Sequence, residues 1–382
     1  MKARVITTIR SHYFHLARGL HKHGLLSDIY SGYPKFKLRN EKNLKDKIET
    51  FPYFTSPLLF AQRYIKKFVD HTSYIHYLTH KIFSQYISNL NNSDHLIAMS
   101  LLGLEAGAAA QKKGKFWICD VPTTHKLFRN DIIEEEYKNY NLKFAKDSQK
   151  LIDREILEYE KSDFISVPSK FVYNTFVKHG FKNKLFLNPF GSAFVVDHRL
   201  NKKVNYEKFR VIFVGQVCLR KGIFYLIDAF KKFKHPNKEL IIIGNIDSDI
   251  KNMFLKKLDS NIKYLGVVPH EMLKDYYLSS NVLVLPSIEE GFSLVLGEAM
   301  SCGCPVITTT NSGADQNIID GEHGFIIPIR SSIDIFEKMQ LLADDQQLQK
   351  KLSRNCLSYI DKIKGWDSYG DKWANFIRSL NN

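Results

Sequence analysis

Two glutamates eight positions apart, Glu290 and Glu298, flank the segment Gly291-Phe292-Ser293-Leu294. An ionised carboxylate accepts from two neighbouring donors at once, so each acid suits a pair of vicinal hydroxyls. Gly291 lets a ligand come close to the backbone. A helix running from about Ser293 to Met300 would turn unpaired N–H groups and the positive end of its dipole toward a phosphate. Earlier in the chain, Phe213-Val214-Gly215-Gln216-Val217-Cys218-Leu219-Arg220-Lys221-Gly222 places a glycine turn after an apolar run and two cations ahead of a helical pattern. Arginine offers a planar fork and lysine a point charge, and together they can hold a diphosphate without a metal. Each feature alone also describes solvated charge and helix capping. Taken together, they suit an extended ligand that carries phosphate and vicinal hydroxyls.

These residues need elements that bring them together. Val- and Ile-rich runs alternate with helical patterns almost to the C-terminus, the signature of parallel βα units. In the first half the runs are 4–8, 96–100, 116–120, 164–168 and 185–189. In the second they are 211–215, 240–244, 262–266, 282–286, 305–308 and 325–328. Between the sets, the polar and basic stretch Asp197 to Tyr206 has no apolar periodicity. The expected fold is α/β, with two facing Rossmann-like domains, parallel sheets, and ligands in the cleft at the carboxyl ends of the strands. The expected boundaries are 1–196, a linker at 197–207, a second domain at 208–360, and a C-terminal helix at 361–382 docking back on the first domain. In that helix Trp366, Tyr369, Trp373, Phe376 and Ile377 recur at helical spacing.

Composition narrows the class. With 382 residues, 44% hydrophobic and 25% charged, the chain suits two ordinary domains with cores of their own. No stretch approaches the eighteen apolar residues of a membrane span, and the start lacks a secretory pattern, so a cytoplasmic location is expected. Five cysteines lack zinc-type spacing; Cys302 and Cys304 read as small buried hydrophobes around Gly303. Asp247-Ser248-Asp249 imitates a metal-binding Asp-x-Asp but reads better as a helix cap, and no metal site is expected. The net charge of +15 is uneven, since residues 1–200 hold 31 Lys and Arg against 19 Asp and Glu. Lys35, Lys37, Arg39, Lys42, Lys45 and Lys47, then Arg63, Lys66 and Lys67, interleave with aromatics such as Phe36, Phe51 and Phe60. This pattern suits either an anionic membrane surface or an ordinary solvated basic face.

The segment Glu290-Gly291-Phe292-Ser293-Leu294-Val295-Leu296-Gly297-Glu298-Ala299-Met300, followed by Gly303 and Pro305-Val306-Ile307, resembles the retaining GT-B glycosyltransferases of family 4. Their corresponding segment reads Glu-Gly-Phe-Gly-Leu, three variable positions, then Glu-Ala-Met; Ser293 replaces the second glycine. The resemblance implies that Glu290 and the backbone of Gly291, Phe292, Ser293 and Leu294 hold the donor sugar and phosphate. It also implies that Glu298 holds the ribose diol, and that Gly215, Gln216 and Val267 belong to the donor site. Lys221 matches the family lysine. Gln216 stands where the family carries arginine, which moves that role to Arg220. Trp117-Ile118-Cys119-Asp120-Val121-Pro122-Thr123-Thr124-His125 resembles the family's strand and loop ending in a histidine that faces the reaction centre, making His125 a catalytic candidate with Glu290 and Lys221. The family's glycine pair after the first strand is missing, so Arg10, Ser11 and His12 become acceptor-side candidates.

The implied activity is transfer of a sugar, with retained configuration, from a UDP- or GDP-linked donor to a glycan or lipid-linked glycan in surface polysaccharide or lipopolysaccharide synthesis. The nucleotide sugar is a co-substrate, no cofactor or metal is expected, and contact with the membrane would be peripheral, at its inner face. A nucleotide-sugar epimerase or sugar phosphorylase would share the fold. A basic nucleic-acid binder is the alternative of another class, but no reader motif appears and no nucleic acid is expected as a partner.

Overall fold

The computed structural model describes residues 2–51, 74–90, 94–191, 207–314, 318–362 and 365–380. The proposed junction at 197–206 and the second half of the basic, aromatic stretch, including Arg63, Lys66 and Lys67, lie outside the described residues. In the first sheet, β1 (Ala3–Thr7), β2 (Leu26–Ser31), β3 (Ile48–Thr50), β4 (His95–Met99), β5 (Trp117–Asp120), β6 (Phe164–Val167) and β7 (Leu185–Leu187) run in the order β3-β2-β1-β4-β5-β6-β7. In the second, β8 (Phe209–Val214), β9 (Lys238–Ile243), β10 (Ile262–Gly266), β11 (Val282–Leu285), β12 (Val306–Thr309) and β13 (Gly324–Ile327) run β10-β9-β8-β11-β12-β13. Adjacent strands are parallel throughout.

Parallel strands covered on both faces carry continuous apolar runs, and β11, with Val282, Leu283, Val284 and Leu285 all buried, is the clearest case. The helices of the first unit are α1 (His12–Lys22), α2 (Tyr74–Ser88), α3 (Leu104–Lys112), α4 (Lys126–Asn139), α5 (Gln149–Lys161) and α6 (Lys170–Lys178). Those of the second are α7 (Ile223–Lys232), α8 (Lys251–Lys257), α9 (Leu273–Leu278), α10 (Leu294–Ser301), α11 (Ser332–Asp344) and α12 (Gln346–Lys362), followed by α13 (Gly365–Ser379). Among the described residues no helix is long and apolar enough to cross a membrane. Strand order reverses between β1 and β4 and again between β8 and β11, and in open α/β sheets these reversals create the ligand crevices. The loops leaving β1, β8 and β11 carry Ser11, Gln216 and Glu290, and Asp120 is the last residue of β5.

The last helix returns to the first sheet. Tyr369, Trp373 and Ile377 of α13 are buried with Leu16 and Leu20 of α1 and with Ile29 of β2. The two helices cross at a pair of glycines, where a Cβ on Gly19 would stand 2.5 Å from the Gly370 Cα. Direct contacts join the two units. Thr124 Oγ1 donates to the Glu289 carboxylate (2.7 Å) and Ser169 Oγ to the Gly291 carbonyl (2.7 Å). Arg330, in the left-handed region at φ 62°, pairs with Glu136 (2.7 Å) and Glu135 (3.0 Å) of α4.

Candidate active site

The loop after β11 is the centre of the arrangement. Gly291 is wedged into the seam between the units, where a Cβ would lie 1.9 Å from the Pro122 carbonyl oxygen. Only glycine fits that approach. On one side, Glu289, Glu290 and Gly291 line a cavity of about 480 Å³ together with Gln216, Arg220 and Thr123. On the other, Phe292, Leu294 and Glu298 line a cavity of about 440 Å³ with Arg10, Ser11 and His12. Sequence reasoning put both glutamates on one crevice. The structure distributes them over two, because the loop between them is buried in the seam.

Lys221 and Glu290 are in direct contact as an ion pair. Burial, with the Arg220 guanidinium alongside, brings the Lys221 amine down to about 7; Cys218 and the Glu289 carboxylate oppose that shift. Arg220 donates to the Glu289 carbonyl (2.9 Å), with the Glu289 and Glu290 carboxylates at 3.4 and 3.5 Å, and its own carbonyl accepts from the Ile288 N–H (2.8 Å). Arg220 is therefore built into the acidic loop as well as bordering the cavity. Glu289, only 1% exposed, was not singled out by sequence; its signal was a second acid at the end of a buried strand. Glu298, on α10, accepts from His270 Nε2 (2.9 Å) and the Tyr277 hydroxyl (3.3 Å). The Ser293 side chain makes no capping bond at the start of α10, which leaves the helix's first N–H groups without that partner. Gly215 lies beside Lys221, with the lysine Cε 3.9 Å from where a Cβ would be. Val267 is 75% exposed and lines neither cavity.

The N-terminal side corrects one expectation. His125 caps the start of α4, yet its ring turns into the first domain, stacked on His179 (3.7 Å) and surrounded by Tyr159, Phe176 and Phe181. Burial and His179 hold it down to about 3, so it is neutral, and neither ring nitrogen has a partner among the described residues. The aromatic packing of α6 drew it away from the cleft. His12 occupies the cleft instead: its Nε2 meets the Asp120 carboxylate at 2.7 Å, and its ring stacks on Phe190 at 4.3 Å. A carboxylate can only accept, so Nε2 carries a proton in this pair, while Nδ1 faces Ser11 Oγ at 3.5 Å. Asp120 escaped sequence reasoning because it was read as part of a strand; its signal was position, the last residue of β5 before the Pro122 loop. Asp247 accepts the Asp249 N–H (3.4 Å), as a cap does, and Cys302 and Cys304 are buried and unbridged.

Residues 197–357 match the family model described as Glycosyl transferases group 1. An uncharacterized glycosyltransferase of Methanocaldococcus jannaschii, MJ1178, is 32% identical over 189 residues, covering 49% of this chain and 53% of that protein. The capsular polysaccharide biosynthesis glycosyltransferase CapM of Staphylococcus aureus is 30% identical over 166 residues, 42% of this chain and 43% of that one. The chain thus aligns with about half the length of these relatives. Among solved structures, Anabaena HepE in complex with UDP and glucose superposes with a TM-score of 0.70 at 15% identity, covering 99% of this chain and 100% of the other. Sucrose-phosphate synthase from Thermosynechococcus elongatus gives 0.72 at 18% identity, covering 100% and 99%. The chain therefore has a two-domain GT-B fold, and its residues 197–357 are similar to the group 1 glycosyl transferases.

Proposed function

We propose that this protein is a glycosyltransferase that takes a sugar from a nucleotide-diphosphate donor and passes it, with retained configuration, to a glycan or lipid-linked glycan in surface polysaccharide synthesis. The observation that carries the reading is the buried Lys221–Glu290 contact, with Arg220 beside it, on the loop that leads to the uncapped start of α10. A pyrophosphate entering here would replace the carboxylates as partner of the two cations. That frees Glu290 for sugar hydroxyls, while the α10 N–H groups stabilise the charge growing on the leaving diphosphate. Glu298, already a hydrogen-bond acceptor, suits the ribose diol. UDP and GDP both remain candidate donors.

The Gly291–Pro122 contact brings the two units together beside the donor loop, and exclusion of water from the sugar carbon there would favour transfer over hydrolysis. Arg10, Ser11 and His12 face the acceptor side in this reading. The exposed cluster of Lys35, Lys37 and Arg39, with Phe36 70% exposed among them, suits peripheral contact with an anionic leaflet, where each cation contributes on the order of 1 kcal/mol. Transfer from radiolabelled UDP- and GDP-sugars to membrane extract should occur with the wild type and vanish in Glu290→Ala, with the circular dichroism spectrum unchanged. Undiminished transfer by that variant would remove the assignment.

A further inference from the structure

The cavity that holds Glu298 and His12 does not end at the cleft. His15, Arg18 and Trp366 belong both to it and to a neighbouring cavity of about 500 Å³ that continues along α1 past His21 and Lys22. A trough therefore leaves the cleft along the outer side of α1, beside the start of α13, and one wall is aromatic. The Trp366 indole stacks on the His15 ring at 3.8 Å, with an interplanar angle of 16°, and Phe190 lies at 6.1 Å. The other feature is charge. The Arg10 and Arg18 guanidinia both converge on the Glu41 carboxylate, Arg10 at 3.1 Å. Glu41 is 6% exposed at the side chain, while Arg10 and Arg18 keep 46% and 33% exposure. One buried acid thus orients two accessible cations, whose other N–H groups have no hydrogen-bond partner among the described residues and can turn to a second anion.

We infer that this trough binds an acceptor saccharide bearing a phosphate, its sugar ring against Trp366 and its phosphate at Arg10 and Arg18. The inference rests on the glycosyltransferase reading and specifies its acceptor. A planar indole offers a face to the C–H side of a sugar ring, and paired guanidinia favour a tetrahedral oxyanion over a hydroxyl. The phosphate could belong to a soluble sugar phosphate or to the pyrophosphate link of a polyprenyl-bound sugar.

Trp117 and Trp373 are fully buried, so Trp366 is the tryptophan that reports on the trough. Its fluorescence should be titrated with N-acetylglucosamine 1-phosphate, with N-acetylglucosamine, and with detergent-dispersed polyprenyl pyrophosphoryl N-acetylglucosamine. The expected result is quenching by at least one phosphorylated probe at concentrations about tenfold or more below those of the neutral sugar, with that advantage lost in Arg18→Gln. Quenching by the soluble phosphate assigns a soluble acceptor; quenching by the lipid-linked probe alone assigns a membrane one; both support the trough. Equal response to the neutral sugar, no response to any probe, or an unchanged advantage in Arg18→Gln overturns it. Lys221→Ala should leave the quenching intact, whereas the donor reading fails if Lys221→Ala still binds UDP or GDP as the wild type does, so the two failures are separable. Trp366→Phe, checked for folding by circular dichroism, should lose the signal.

Discussion

Replacing Gly291 by alanine tests the closed seam with a single methyl group. In the present geometry that methyl would lie 1.9 Å from the Pro122 carbonyl oxygen, 2.8 Å from the Pro122 carbonyl carbon and 2.9 Å from the Thr123 Cα. All three atoms are backbone, so no flexible side chain can yield. A Cβ contact rarely falls below 3.0 Å, and the Pro122 loop must retreat by at least 1.1 Å. That movement pulls on the Thr124–Glu289 and Ser169–Gly291 bonds, the polar contacts flanking the point of closest approach. A misplacement of about 1 Å at reacting groups costs on the order of 100-fold in rate. Gly291→Ala should therefore lose about two orders of magnitude in kcat. Nucleotide affinity, governed by Lys221 and α10 on the C-terminal side, should change by less than about threefold. Isothermal titration with the nucleotide diphosphate gives the affinity, and a radiolabelled transfer assay gives kcat. Full turnover in Gly291→Ala would refute the idea that this closed seam is the reactive form. A parallel loss of nucleotide binding would instead mean that the loop itself had collapsed.

Other consequences follow from named contacts. Lys221→Ala leaves Arg220 facing two carboxylates, and loss of one charge-assisted contact of about 1.5–3 kcal/mol should weaken nucleotide diphosphate binding by roughly 10- to 100-fold in isothermal titration. Because Lys221 is held down at about 7, its charge is present below that pH and lost above it; wild-type affinity should decline as pH rises through 7, and Lys221→Ala should lose that dependence. Arg330→Met strips the buried Glu136 of its cation and should cost about 3 kcal/mol in urea unfolding, most of it recovered by adding Glu136→Gln. For Glu239, burial pushes the carboxyl up, but contacts from Lys263, Lys208 and Arg210 outweigh it and hold it at about 2. Its stabilisation is present above the ordinary carboxylate range and lost as pH falls toward 2, so Glu239→Gln should flatten the acid limb of a Tm-against-pH curve.

Much of the fold was legible because buried parallel strands cannot conceal their composition. Eleven apolar runs anticipated β1, β4 to β13 within a residue or two. The strands that escaped are β3, at the sheet's edge, and β2 next to it. Leu26–Ser31 contains Ser27 and Asp28, and Asp28 is there to receive the Arg4 guanidinium at 2.6 and 2.8 Å, a tertiary contact with no local signature. In the site, the Glu290 to Met300 segment was legible as a motif, since its glycine, acids and helix start are close in sequence. What could not be read was the partnership across the chain. His12 and Asp120 are 108 positions apart and meet only because β1 and β5 flank β4 in one sheet. His125 misled for the complementary reason: loop position said cleft, while the rings of Phe176 and Phe181 offered it a better-packed home.

The claim on which everything rests is that a nucleotide diphosphate binds against Lys221, Arg220 and the start of α10. Hydrogen–deuterium exchange of the intact chain, with and without saturating UDP, GDP and ADP in turn, tests it directly. At least one nucleotide should slow exchange in the peptides spanning 215–222 and 290–298, leaving most of the first sheet unchanged. Exchange in those peptides that stays the same with all three nucleotides, or protection confined to another part of the chain, would contradict the account.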